Sequence, residues 1–355
     1  MHNEKVCLGA LWVNVLRAAK GALTALFTTF AKAMSQNGAT GARRAATSRA
    51  GPMITNTQDQ QSARAFDLAS IAICTLAWGT TWFAITQQFG VVDPIVSIVY
   101  RFALASALLF AWCLARNEPI AMTRPQHASA FGMGLFNFAI NYALVYWAEE
   151  RVTSAVVAVV FAALAFVNLA MFRVVFAQRA SLLAWVAAGL GVAGVGLMSW
   201  EELAAANMDA RALTGIAMTF GAVVAASVAN VFARRGEMAG SAVAPMTAWA
   251  MLYGTAQIAL YAIVTGRVWA FEATLPYIAS LLHLSVVGSV LAFLLYYGLA
   301  RRRGYATASY ISALTPPVAM LVSALFEGKS WGLLALGGVG LVLAGQALLL
   351  RSRRA

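Results

Sequence analysis

The sequence predicts an all-α integral membrane protein of ten transmembrane helices, built as two inverted five-helix repeats. Three observations carry this prediction. The composition leaves too little polar surface for a water-soluble globule, ten long apolar stretches succeed one another with short connections, and the chain matches itself at an offset of about 150 residues.

Of the 355 residues, 61% are hydrophobic and only 11% charged, with a mean hydropathy of +0.74. Lipid is therefore the expected solvent. The net charge of +12 does not indicate a nucleic-acid partner, because the basic residues stand singly or in twos and threes at the ends of apolar runs.

Stretches free of Lys, Arg, Asp and Glu cover 68–92, 128–148, 152–172, 180–200, 212–233, 238–266, 273–300, 304–326 and 330–350. Each reaches the roughly 20 residues that cross about 30 Å of hydrocarbon as a helix. A tenth, 94–115, is interrupted only by Arg101. Placing the N-terminus in the cytoplasm puts thirteen of the Lys and Arg residues from Arg64 onward inside and only Arg151, Arg211, Arg267 and Lys329 outside. This bias predicts a plasma or inner membrane protein with both termini cytoplasmic.

Residues 1–62 form an N-terminal extension. Leu8 to Phe30 is apolar but broken by Arg17 and Lys20, which suits a surface helix or a transit-like peptide, and 35–62 reads as a disordered linker. Translation starting at Met53 is the alternative, and no function is assigned to 1–52.

The first repeat is expected over 66–200 and the second over 211–350. In register, Pro94 falls on Pro245, Tyr146-Trp147 on Tyr296-Tyr297, and Leu164 on Leu314. Gly189, Gly191 and Gly196 recur as Gly338, Gly340 and Gly345. Five spans per half force the second half to enter the membrane from the opposite side. Inverted repeats can close around a central site in two equivalent ways, which is the physical basis of alternating access.

Arg101 lies seven residues past Pro94, about 10 Å into the membrane along a helix. There it either faces the interior, as a partner for an anionic substrate group or a gate, or has a structural role, snorkelling to the outer interface or pinning a neighbouring helix C-terminus. Pro316-Pro317 remove two helical hydrogen bonds in mid-span, so the ninth span should kink or unwind and serve as a hinge. Asn137, Asn141, Asn168, Asn230, Gln257 and Gln346 lie inside spans, together with aromatic residues. These and the aromatics Trp78, Trp82, Tyr100, Tyr142, Tyr146, Trp249, Tyr253, Tyr296 and Tyr310 are candidates to line a cavity for an amphipathic solute, each with helix packing or the interfacial belt as its alternative. His283 is a candidate proton relay. Glu149, Glu150 and Glu327 sit at outer helix ends, where a surface position is expected.

Cys7, Cys74 and Cys113 have no metal-ligand spacing, and the chain carries neither H-E-x-x-H, G-x-S-x-G nor a P-loop. No metal or cofactor is expected.

The chain resembles the EamA family of the drug/metabolite transporter superfamily. The likeness rests on AWGTTWFAI at 77–85, the run from Pro94 to Arg101-Phe102, VANVFARR at 228–235 and SALTPPVAMLVSALFEGKSWG at 312–332. It implies an inner-membrane secondary transporter of amino acids, metabolites or drug-like solutes, commonly an exporter. The first half departs from the second: Phe166 stands where Pro316 would fall, and Ala177 where Glu327 would. A non-transport membrane protein, receptor or enzyme, is the alternative. The expected partners are a small-molecule solute and the bilayer, with a homodimer left open.

Overall fold

The computed structural model describes residues 57–178, 181–205, 209–328 and 331–351. The extension, Met53 included, lies outside them apart from its last few residues. Residues up to Ala65 form one unit and Phe66–Ala355 a second, compact one. Among the described residues there are no strands.

Among the described residues the helices group into ten segments in order: α1 Thr57–Thr86, α2 Pro94–Ala115, α3 Arg124–Glu149, α4 Ser154–Phe176, α5 Leu182–Ala205, α6 Ala210–Met238, α7 Val243–Val264, α8 Leu275–Arg303, α9 Tyr310–Phe326 and α10 Leu333–Arg351. Seven of them, α1 to α4 and α6 to α8, are long and apolar enough to cross a membrane; α5, α9 and α10 contribute shorter apolar helices where the remaining three spans are expected. Helix α9 is short because its span breaks at Ser309, leaving the single turn Tyr305–Ala308 ahead of it. Local signals set the starts. Asp93 caps α2 by accepting from the Ile95 amide at 2.8 Å, with Pro94 in the first turn, where its missing N–H goes unneeded.

Packing repeats the internal symmetry. Helix α2 lies against α7, α4 against α9 and α5 against α10, each span beside its equivalent in the other half. Both α3 and α8 are π-helical at their centres, over Gly134–Asn141 and His283–Leu291. The added residue in each turn loosens the i→i−4 ladder at mid-depth, a feature that collects at functional sites. The α5–α10 seam depends on small residues. A Cβ added to Gly345 would stand 2.7 Å from the Ala187 carbonyl, and one on Gly194 would stand 2.8 Å from the Val342 amide.

Of the two forms expected for the ninth span, kinked or unwound, unwinding does not occur at its prolines: α9 remains helical through Pro316 and Pro317, and the break falls about two turns before Pro316, at Ser309. The Ser312 carbonyl, deprived of the amide that Pro316 lacks, accepts instead from the Thr315 hydroxyl at 2.7 Å. Of the repeated glycines, Gly189, Gly196 and Gly340 have nothing within 4 Å of an added Cβ, so close packing does not require them.

Candidate functional site

The six spans α1, α3, α4, α6, α8 and α9 meet around a central cavity. Its wall is Trp78, Thr81, Trp82 and Ile85 from α1; Asn137, Asn141, Tyr142 and Val145 from α3; Phe161 and Leu164 from α4; Ala226 and Asn230 from α6; Phe293, Tyr296 and Tyr297 from α8; and Ser312 and Thr315 from α9. Both halves contribute equivalent spans, and no wall residue is charged. The cavity volume is about 60 Å³, room for a few waters but not for an amino acid. The space is therefore narrow.

The π-helical turn of α8 anchors one side. The indole N–H of Trp78 donates to the Gly288 carbonyl at 3.1 Å, inside that turn, and the Trp78 ring lies 5.3 Å from Tyr296 and 5.4 Å from Phe293. Gly288 has to be small, since an added Cβ would run into Thr81. Trp82 lies across Phe161 at 5.2 Å, and its buried indole N–H has no acceptor.

A polar network ties the two halves together beside the cavity. Asn230 donates to the Tyr296 hydroxyl at 3.1 Å and to the Asn168 amide oxygen at 3.3 Å. Asn168 in turn donates to Ser309 at 2.5 Å, at the break before α9. Asn137 donates to the Tyr297 hydroxyl at 3.4 Å. The Asn230–Asn168, Asn168–Ser309 and Asn137–Tyr297 contacts join one repeat to the other, while Asn230–Tyr296 links two helices of the second, and buried amides and hydroxyls need such partners.

Arg101 is fully buried and does not snorkel. It stands behind the wall: its Nη2 donates to the Tyr142 hydroxyl at 3.3 Å and its Nε to Ser289 at 3.1 Å. The guanidinium also lies over the Tyr142 ring at 4.5 Å. Its Nη1 has no hydrogen-bond partner.

Of the residues singled out in the sequence, Trp78, Trp82, Asn137, Asn141, Tyr142, Asn230 and Tyr296 line the cavity. The others lie elsewhere. Tyr146 is buried and donates to the Gln88 side chain at 2.8 Å. Trp249 donates to the Ile120 carbonyl and Tyr253 meets His127, so both pack near the start of α3 rather than at the cavity. Tyr310 packs against Ala184 and Ala187 of α5. His283 bonds Thr80 at 3.0 Å. Pro316 and Pro317 stand next to the wall residue Thr315. Missed in the sequence were Thr81, Ser312 and Thr315, hydroxyl residues common in any apolar helix. Glu149, expected at the surface, is buried.

With this geometry in place, known proteins become informative. The model of the EamA-like transporter family matches residues 67–200 and again 213–351. The chain belongs to the EamA-like transporter family. Among its relatives, Protein PecM of Dickeya dadantii (strain 3937) is 25% identical over 287 residues, 80% of this chain and 91% of that protein. The uncharacterized inner membrane transporter YedA of Escherichia coli (strain K12) is 26% identical over 261 residues, 72% of this chain and 81% of YedA. A protein solved by crystallography superposes with a TM-score of 0.62 at 20% identity, covering 83% of this chain and 99% of its own, which supports the fold. This EamA-like chain is thus a multi-pass membrane transporter of the drug/metabolite type, and its two matched segments correspond to the two halves that enclose the cavity.

Proposed function

We propose that the protein is a secondary carrier of the inner membrane that exports a small amphipathic solute by alternating access, with both termini in the cytoplasm. The observation that carries this reading is the narrow central cavity built from equivalent spans of both repeats. Rocking one half against the other would open it to one face at a time. The wall favours a solute with an apolar body and hydrogen-bonding groups: aromatic faces suit an ammonium group, and the unpartnered Trp82 N–H suits an acceptor. Arg101 sits one side chain behind Tyr142 and would attract a carboxylate into the cavity. A zwitterion of amino-acid type meets these requirements. The prolines of α9, next to Thr315, are the proposed hinge. Export and inner-membrane placement follow the resemblance and the basic residues, and the name of YedA agrees with the latter.

The test is flux. Purified chain is reconstituted in liposomes with an imposed pH gradient and offered labelled amino acids and cationic dyes, alongside Arg101→Ala. Movement of a panel member that falls in the variant supports the reading. No movement of any member turns the assignment toward a non-transport membrane protein.

A further inference from the structure

Glu149 ends α3 in a place where a carboxylate is hard to hold. Its side chain is buried, with the residue 7% exposed, and neither carboxyl oxygen has a hydrogen-bond partner. Its neighbour Glu150, by contrast, is exposed and pairs with Arg151 at 3.7 Å. A bare, ionised carboxylate out of water is strongly unfavourable, whereas a neutral carboxyl there is tolerable.

Four elements besides α3 bring polar or charged groups to this end: α2, α4, α6 and α9. From the end of α9 comes Glu327, within electrostatic reach of Glu149. Ser154 donates to both Glu327 oxygens, at 2.9 and 3.0 Å, and Ser323 donates to it as well. From α2 comes Arg101, also within electrostatic reach, with its Nη1 buried and unpartnered. From α6, Arg211 donates to the Glu150 carbonyl at 2.6 Å. On α3 itself stands Tyr146, engaged with Gln88. Of the two facing carboxylates, Glu327 is supplied with donors and Glu149 has none.

Glu150 lines a second, open cavity of about 520 Å³ whose wall includes Asp93 and Arg267, paired at 3.2 Å.

We propose that Glu149 is the proton-binding site of this carrier, an assignment that rests on the carrier reading above. In the closed state a proton from water is bonded to a Glu149 carboxyl oxygen. When the helices part on the Asp93–Arg267 side, water reaches the group, that O–H bond breaks, and the proton leaves to solvent. The carboxylate left behind is stabilised by water and by Arg101. Proton release is thereby tied to opening on one face, the requirement for coupling a gradient to solute movement.

The test reads the proton directly by infrared difference spectroscopy of the reconstituted full-length chain, following the carbonyl stretch of protonated carboxyl groups through a pH titration. The wild type should show a band that titrates, is missing in Glu149→Gln and is displaced in Glu149→Asp, while Glu327→Gln keeps it. A band unchanged in Glu149→Gln, or no titrating band in the wild type, overturns the assignment; if the Gln variant does not fold, the Asp displacement decides. No solute is needed. Absence of flux with the band present therefore counts against the carrier reading, and flux with the band unchanged in Glu149→Gln counts against the proton site alone.

Discussion

The Arg101 guanidinium lies over the Tyr142 ring at 4.5 Å, and Tyr142 is itself a wall of the central cavity. The charge therefore acts on the cavity through one aromatic side chain. Lysine keeps the charge but cannot bond Ser289 and Tyr142 together while lying flat on a ring. Arg101→Lys should lower solute flux about tenfold, equivalent to about 1.4 kcal/mol, with folding retained. Tyr142→Phe removes the hydroxyl alone and should have a smaller effect. Initial rates in proteoliposomes, with denaturation in mixed micelles as the folding control, check both.

Trp78→Phe keeps a ring against Tyr296 and Phe293 and removes only the bond to the Gly288 carbonyl. The loss in stability should be about 1 kcal/mol. Flux should fall further than that figure implies, because the bond ties α1 to the π-helical turn of α8. Stability and flux falling in proportion would reduce Trp78 to packing.

The glycines of the α5–α10 seam divide into two groups. Gly345→Leu should force the helices apart and lower stability by about 2 kcal/mol or more, since even a Cβ meets the Ala187 carbonyl. Gly340→Ala meets nothing and should stabilise by about 0.5 kcal/mol through helix propensity. Paired denaturation curves check this contrast.

Ala177 closes α4 with φ +53°, in the left-handed region. A Cβ there is strained by about 1 kcal/mol. Ala177→Gly should recover that much, seen as a higher unfolding midpoint, and leave flux unchanged.

Much of the architecture was legible because a bilayer imposes length, apolarity and charge bias on every span. Trp78, Asn141, Asn230 and Tyr296 were legible for a related reason: a polar or aromatic group inside an apolar run is conspicuous. The same signature attaches to Trp249 and Tyr253, which bond Ile120 and His127 near the start of α3 instead. Composition does not record which neighbour a ring meets. Thr315 was not legible because its role depends on the carbonyl that Pro316 frees one turn earlier. Glu149 was not legible because the end of an apolar run looks alike whether other helices cover it or water does. The π-helical turns in α3 and α8 have no composition of their own and emerge only from packing.

The central claim is that one cavity serves both faces of the membrane. With Cys7, Cys74 and Cys113 replaced by serine, a single Asn141→Cys substitution places a thiol in the cavity wall, and a membrane-impermeant maleimide can be applied from either side of sealed vesicles. The account predicts labelling from both sides, slowed on each by a transported solute. Labelling from one side only, whatever the solute, would contradict it.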